Sequence, residues 1–261
     1  WAVICLFPRM ANAEPLQIST TSEVSDKGKV KIILDLKNIA GKPLYHIHPM
    51  FHYHHSHSMA DMIHKLEPGE HVTIDNTDHP DVMRVGRYPL AIIANYSQSP
   101  DAPAHDTQLH TDSFYYQEAV ASMIEGQVSS YVKDGAPLLR VMVRNTSSSF
   151  KNIEMMFLFP PGLSSETFKG MKGFTIGGGE ERHFEIPVSK LAEVPDGEYP
   201  VHLMVEYGEL MKHYTGEIRG KVVFPDMKGP LWPHLIAITT IIFLLAVFYR
   251  MRFQRSHKVS I

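Results

Sequence analysis

The feature that most limits what this chain can fold into is a repeat. Residues 86–96, Gly-Arg-Tyr-Pro-Leu-Ala-Ile-Ile-Ala-Asn-Tyr, align without a gap on 197–207, Gly-Glu-Tyr-Pro-Val-His-Leu-Met-Val-Glu-Tyr. Upstream, an alternating strand ends at Asn38 in one copy and at Asn145 in the other, each ten residues after a turn glycine, Gly28 or Gly135. Between these landmarks Leu66-Glu-Pro-Gly-Glu matches Ile176-Gly-Gly-Gly-Glu, and each precedes a polar–apolar strand. Asn38 lies 48 residues before Gly86, and Asn145 lies 52 before Gly197. A separation of 107 to 111 residues is too long for a solenoid and is the size of an ordinary domain, so the chain reads as a tandem duplication.

Each copy consists of short alternating strands punctuated by Gly, Pro, Asn and Asp, with no helical stretch before position 230. That pattern predicts an all-β chain of two antiparallel sandwiches, at 14–119 and 120–229. The order of elements is a strand ending in Asn, an apolar strand with Pro-Gly, a Gly-Glu turn, and Gly-x-Tyr-Pro leading into a strand. It resembles the NEW3 type of bacterial Ig-like domain over roughly 28–96 and 135–224, and the second copy adds Phe159-Pro-Pro-Gly-Leu163. The resemblance implies tandem Ig-like domains in a membrane-anchored envelope protein and brings no catalytic residues with it.

The two ends read as targeting segments. Residues 1–13 hold an apolar run and then Ala11-Asn-Ala13, an ending of the signal-peptidase type, so they are read as a signal remnant. Cleavage there removes Cys5, the single cysteine, and leaves Glu14 first. Residues 235–248 are apolar apart from Thr239 and Thr240, with Trp232 and Tyr249 as flanks and Arg250, Arg252, Arg255 and Lys258 beyond. About 18 such residues suffice to span a bilayer, and the cationic side stays in the cytoplasm. The expected topology is a transmembrane helix at 230–249 and a basic cytoplasmic tail at 250–261. The bulk of the chain then stands outside the inner membrane, in the periplasm or extracellular space.

With 25 Lys plus Arg against 28 Asp plus Glu and no long single-sign run, the chain has no basic footprint for nucleic acid. No Gly-x-Ser-x-Gly elbow, phosphate-binding glycine loop or His-Glu-x-x-His motif occurs, so no catalytic role is expected. The unusual count is 16 histidines, eight of them between His46 and His71. In Tyr45-His-Ile-His-Pro-Met-Phe-His-Tyr-His54, period-2 alternation puts His46, His48, Met50, His52 and His54 on one face of a strand, with the aromatics on the other. The matching strand of the second copy, 153–159, has no histidine, so the fold does not require one.

Imidazoles two apart on a strand can converge on one transition metal, with a further ligand from the following loop: His55, His57, Met59, Met62 or His64. Mixed imidazole and thioether donors favour copper, and histidine with Asp61 would favour zinc; a blue-copper centre is excluded because it needs a thiolate. The same histidines also suit a pH-sensitive or partner-binding surface. A second group, His79, His105 and His110, cannot be joined to the first by spacing alone. The expected function is a membrane-anchored binding or scaffold protein with other envelope or membrane proteins as partners; copper or zinc binding is the alternative, and a metal-dependent enzyme the remotest. Tyr88 and Tyr199 are expected to anchor corners of the sandwiches.

Overall fold

Alternation drives the chain into strands. At 30–38, Val30, Ile32, Leu34 and Leu36 are buried, while Lys31, Asp35 and Lys37 are half-buried or exposed, as a pleat with one covered face requires. The computed structural model describes residues 14–102, 106–192, 194–225 and 239–240. The expected signal remnant and basic tail lie outside the described residues, as does the expected transmembrane segment apart from Thr239 and Thr240. Among the described residues, no helix is long and apolar enough to cross a membrane. The chain divides into two compact units, Trp1–Val223 and Phe224–Ile261, and both copies of the repeat lie essentially within the first.

The first copy comprises β1 (Leu16–Val24), β2 (Val30–Asn38), β3 (Leu44–Tyr53), β4 (Ser56–Met59), β5 (Ile63–Leu66), β6 (His71–Asn76), β7 (Gly86–Ser97) and β8 (Asp106–Tyr116). The second comprises β9 (Ile124–Lys133), β10 (Ala136–Asn145), β11 (Lys151–Leu158), β12 (Leu163–Ser164), β13 (Lys172–Ile176), β14 (Glu181–Pro187), β15 (Ser189–Lys190), β16 (Gly197–Glu209) and β17 (Lys212–Phe224). In the first copy, the sheet β1-β2-β6 faces a sheet in which β3 and β8 flank β7, with β4 and β5 on the far side of β3. Ile32, Leu34 and Leu36 of one sheet pack with Phe51, Tyr53, Leu90 and Ile92 of the other in a single core, giving a β-sandwich-like, all-β arrangement. The second copy repeats the plan with β14-β10-β9 and β13-β11-β16-β17.

The repeat recurs atom by atom. Asn38 and Asn145 are both fully buried. Asn38 donates its amide to the carbonyls of Lys42 and Leu66, and Asn145 does the same to Ser149 and Ile176, the matching positions. Their side-chain oxygens accept from the backbone of Ala40 and Ser147, and their own N–H groups reach the carbonyls of Glu70 and Glu180. These bonds close the loops after β2 and β10, where buried backbone groups would otherwise go unpaired. Tyr88 donates its hydroxyl to the Arg84 carbonyl at 2.7 Å and Tyr199 to the Pro195 carbonyl at 2.6 Å, both four residues upstream.

The copies are joined first through their backbones and outer sheet faces. The β17 and β7 strands meet in parallel at one position, His213 opposite Gly86, where the His213 N–H donates to the Val85 carbonyl. Gly86 has φ +138°, and a Cβ there would lie 2.0 Å from the His213 carbonyl oxygen, so only glycine allows the approach. Alongside, the outer faces of the two sheets pack on each other: Ala91 with Leu158 and Met204, flanked by Leu109 and Met156. The β16 strand is therefore covered on both sides. Val201, Leu203, Val205 and Tyr207 fill their own sandwich, while Met204 and Glu206 are buried facing the other copy.

Candidate metal centre

The histidine strand departs from strict alternation at both ends. From Ile47 to Tyr53 the pattern holds: Ile47, Pro49, Phe51 and Tyr53 point inward, and His48, Met50 and His52 lie on the other face. A bulge between Tyr45 and His48 takes His46 out of phase, with φ +52°, and its Nε2 bonds the Pro100 carbonyl at 2.9 Å. Tyr45 is consequently only half-buried. His54 leaves the strand altogether. With His55 it forms the two-residue turn between β3 and β4, at φ +48°, because Tyr53 pairs directly with Ser56.

That turn points at the second copy. His54 Nδ1 lies 2.6 Å from Glu206 Oε2, and the His54 and His55 ring centroids are 3.7 Å apart. His55 Nε2 is 3.7 Å from the Glu154 carboxylate. His213 Nε2 approaches the same Glu206 oxygen at 3.2 Å, while its Nδ1 contacts the Arg87 carbonyl at 2.6 Å. The Arg87 carbonyl and the Glu206 carboxylate both only accept, so the two contacts are satisfied together when each His213 ring nitrogen carries a hydrogen. The ring is further fixed by parallel stacking on Tyr88, with centroids 4.2 Å apart.

Glu206 is the hub. It is 3% exposed, and its Oε1 is buried with no hydrogen-bond partner. Burial opposes its charge, but the hydrogen bonds from His213 and His54 outweigh burial and hold the carboxyl down to about 2. Among the described residues, His54, His55 and Glu206 offer donor atoms that all lie within 4.8 Å of one another. Ligands of a tetrahedral zinc ion sit roughly 3.3 Å apart, from bond lengths near 2 Å, so the three donor atoms would draw together by up to about 1.5 Å to share one ion. The cluster opens onto a cavity of about 580 Å³ between the copies, walled also by Asp81, Glu154 and Phe174.

The other sequence candidates lie elsewhere. His48 stays on the outer face of β3, and His52 is half-buried on that face with its Nε2 unpartnered, burial pushing it below the usual imidazole range. His57 and Met59 are exposed on β4, His64 is exposed on β5, and Met62 is half-buried between those strands. His79 packs edge-on against Phe51 and Tyr53 with both ring nitrogens buried and unpartnered, and burial lowers its pKa as it does that of His110. His105 lies outside the described residues. A second polar junction joins the copies at Glu217, which accepts from Thr111 of the first copy and from Arg219, and meets His202 Nδ1 at 2.6 Å.

His54 and His55 stand out in the sequence as candidate ligands, whereas Glu206 and His213 do not. One signal was present. Within Val-His-Leu-Met-Val-Glu-Tyr the charged Glu206 takes the position of Asn95 in the sister copy, in a strand otherwise apolar at its centre.

No protein-family model matches the chain, and no curated protein matches it in sequence. Among solved structures it is similar to native α2-macroglobulin of Escherichia coli, at 8% identity over 79% of this chain and 16% of that one, with a TM-score of 0.30. It is also similar to red sea bream transglutaminase, at 10% identity, 79% and 31% coverage and TM-score 0.26. The YadV chaperone is 11% identical over 80% of this chain and 98% of that one, with TM-score 0.26. This chain spans about a sixth of the macroglobulin. At these TM-scores the likenesses carry no argument about function.

Proposed function

We propose that this chain is a non-enzymatic transition-metal-binding module of the cell envelope, which holds a zinc or copper(II) ion between its two sandwiches. The observation that carries the reading is the convergence of His54, His55 and Glu206, from opposite copies, with donor atoms within 4.8 Å of one another, beside a second Glu206 oxygen, Oε1, that is buried without a hydrogen-bond partner. A buried carboxylate oxygen without a partner is costly, and a cation is the partner that best relieves it. Two or three imidazoles with one carboxylate are the donor set of zinc and copper(II) sites, not of calcium or magnesium. The finer architecture, tandem NEW3-type Ig-like domains tethered by a helix at 230–249 with the bulk of the chain in the periplasm, belongs to this proposal and rests on sequence motifs alone. Partner proteins of the same membrane would be reached through the outer surface of the chain. A feature that favours such contacts is the exposed apolar tip of the β16–β17 hairpin, where Leu210 and Met211 are 85% and 78% exposed.

Elemental analysis of the full chain, purified in detergent without a histidine tag, tests the reading. One zinc or copper per chain is expected, and Glu206→Gln together with His54→Ala abolishes it. Metal-free protein that takes up neither ion on titration overturns the proposal.

A further inference from the structure

The hairpin that carries His54 and His55 holds a second set of donors one step behind its turn. In the β3–β4 register His52 stands directly opposite His57, and Met50 directly opposite Met59. Between these pairs, Phe51 and Ser58 are both buried toward the core, so the two histidines and two methionines share the other face. Directly opposed side chains on antiparallel strands have Cβ atoms about 5 Å apart, and residues two apart along a strand about 7 Å. The four side chains thus stand at the corners of a small rectangle with two imidazoles at one end and two thioethers at the other. Met side chains have three rotatable bonds and reach inward readily.

We infer that this rectangle is a copper(I) site, with Met50 and Met59 as thioether ligands and His52 and His57 as imidazole ligands. Thioether sulfur is a soft, weak donor that hard and borderline ions pass over, and paired with imidazole it selects Cu(I). No aspartate or glutamate belongs to the rectangle, as suits a singly charged soft ion and not zinc. The independent observation is the His52 Nε2, which is buried yet has no hydrogen-bond partner. A buried imidazole nitrogen is ordinarily satisfied, and here a ligand would satisfy it. Access is provided from the other strand. The β4 strand lies at the edge of its sheet, with His57 exposed and Met59 61% exposed, so an ion can enter without unfolding. The second copy has nothing comparable: the β11 positions on the matching face are Glu154, Met156 and Leu158, and the last of these is buried against Ala91 and Met204.

The inference shares with the proposed function only the premise that the chain handles transition metals, since none of its four ligands belongs to the Glu206 centre. Its test is an anaerobic titration of the full chain with Cu(I) in competition with bicinchoninate, followed by X-ray absorption of the loaded protein at the copper edge. Wild-type protein is expected to withdraw one Cu(I) per chain and to show sulfur in the coordination shell. The Met50→Leu/Met59→Leu variant conserves volume and apolarity. It is expected to lose affinity by at least about tenfold and to lose the sulfur signal, while thermal melting shows its fold intact. Failure of the wild type to compete with the chelator, a shell of nitrogen and oxygen alone, or equal affinity in the double variant overturns it. Zinc and copper(II) uptake measured on the same samples separate the two readings. Cu(I) binding without uptake of either ion breaks the Glu206 proposal alone, and the reverse breaks this one alone.

Discussion

The two copies of the repeat agree where they hold themselves together and differ where they face each other. Asn38 and Asn145, Tyr88 and Tyr199, and the turns at 66–70 and 176–180 are interchangeable in position and bonding. The outer faces are not. In β7 the matching positions are Ala91, Ile93 and Asn95, whereas in β16 they are His202, Met204 and Glu206. In β3 the outer face ends in His52 and the His54–His55 turn; in β11 it ends in Leu158 and runs on into Phe159-Pro-Pro. Duplication supplied two copies of one frame, and divergence on a single face let the copies meet unequally. Met204 covers Ala91, and Glu206 receives His54. The centre is one that neither copy could build alone.

The sharpest way to break this comparison uses the two equivalent glycines of Gly-x-Tyr-Pro. Gly86→Ala drives a Cβ into the His213 carbonyl at a strained φ and is expected to cost roughly 4 kcal/mol, whereas at Gly197 the nearest atom to a new Cβ is 4.0 Å away and the same change is expected to cost far less. Chemical denaturation of the two variants measures the difference, and equal losses would mean that the join between copies contributes nothing.

The next effect is one of pH. The Glu206 carboxyl falls from an ordinary 4.5 to about 2 on folding, so its contribution is fully present above pH 4.5 and is lost as pH falls toward 2. A shift of that size corresponds to roughly 3 kcal/mol for a group this deeply buried. Glu206→Gln is expected to be less stable than wild type at pH 7 by about that amount, with the gap closing between pH 4.5 and 2. Parallel stability curves over this range would show that the His54 and His213 contacts do not govern the carboxylate.

The smallest effect tests likeness instead of difference. Asn38→Ala and Asn145→Ala each strip a fully buried knot of its bonds to backbone carbonyls and are each expected to cost roughly 2 to 3 kcal/mol. Melting curves that separate the two by more than a factor of two in cost would argue that the shared frame has drifted in energy though not in geometry.

Much of the frame was legible because its determinants are local. Alternation at 30–38, the turn glycines, and asparagine at a strand end are decided within a few residues, so the duplication and the all-β class could be read directly. The stripe of histidines was legible only between His48 and His52. The bulge that displaces His46 and the turn that takes His54 arise from pairing with β5, β7 and β4, which no period along one strand records. His54 and Glu206 lie 152 residues apart.

By itself, then, the amino-acid order determined an all-β chain with two copies of one frame, a concentration of histidine in the first, and the absence of a recognisable catalytic motif. Only tertiary structure decided that the outer face of β16 would be covered. A glutamate between Val205 and Tyr207 reads as an ordinary solvent-facing residue of an alternating strand. It becomes a buried carboxylate, held ionised by imidazoles, because the other copy packs over it, and the order of residues along the strand does not record which distant segment does so.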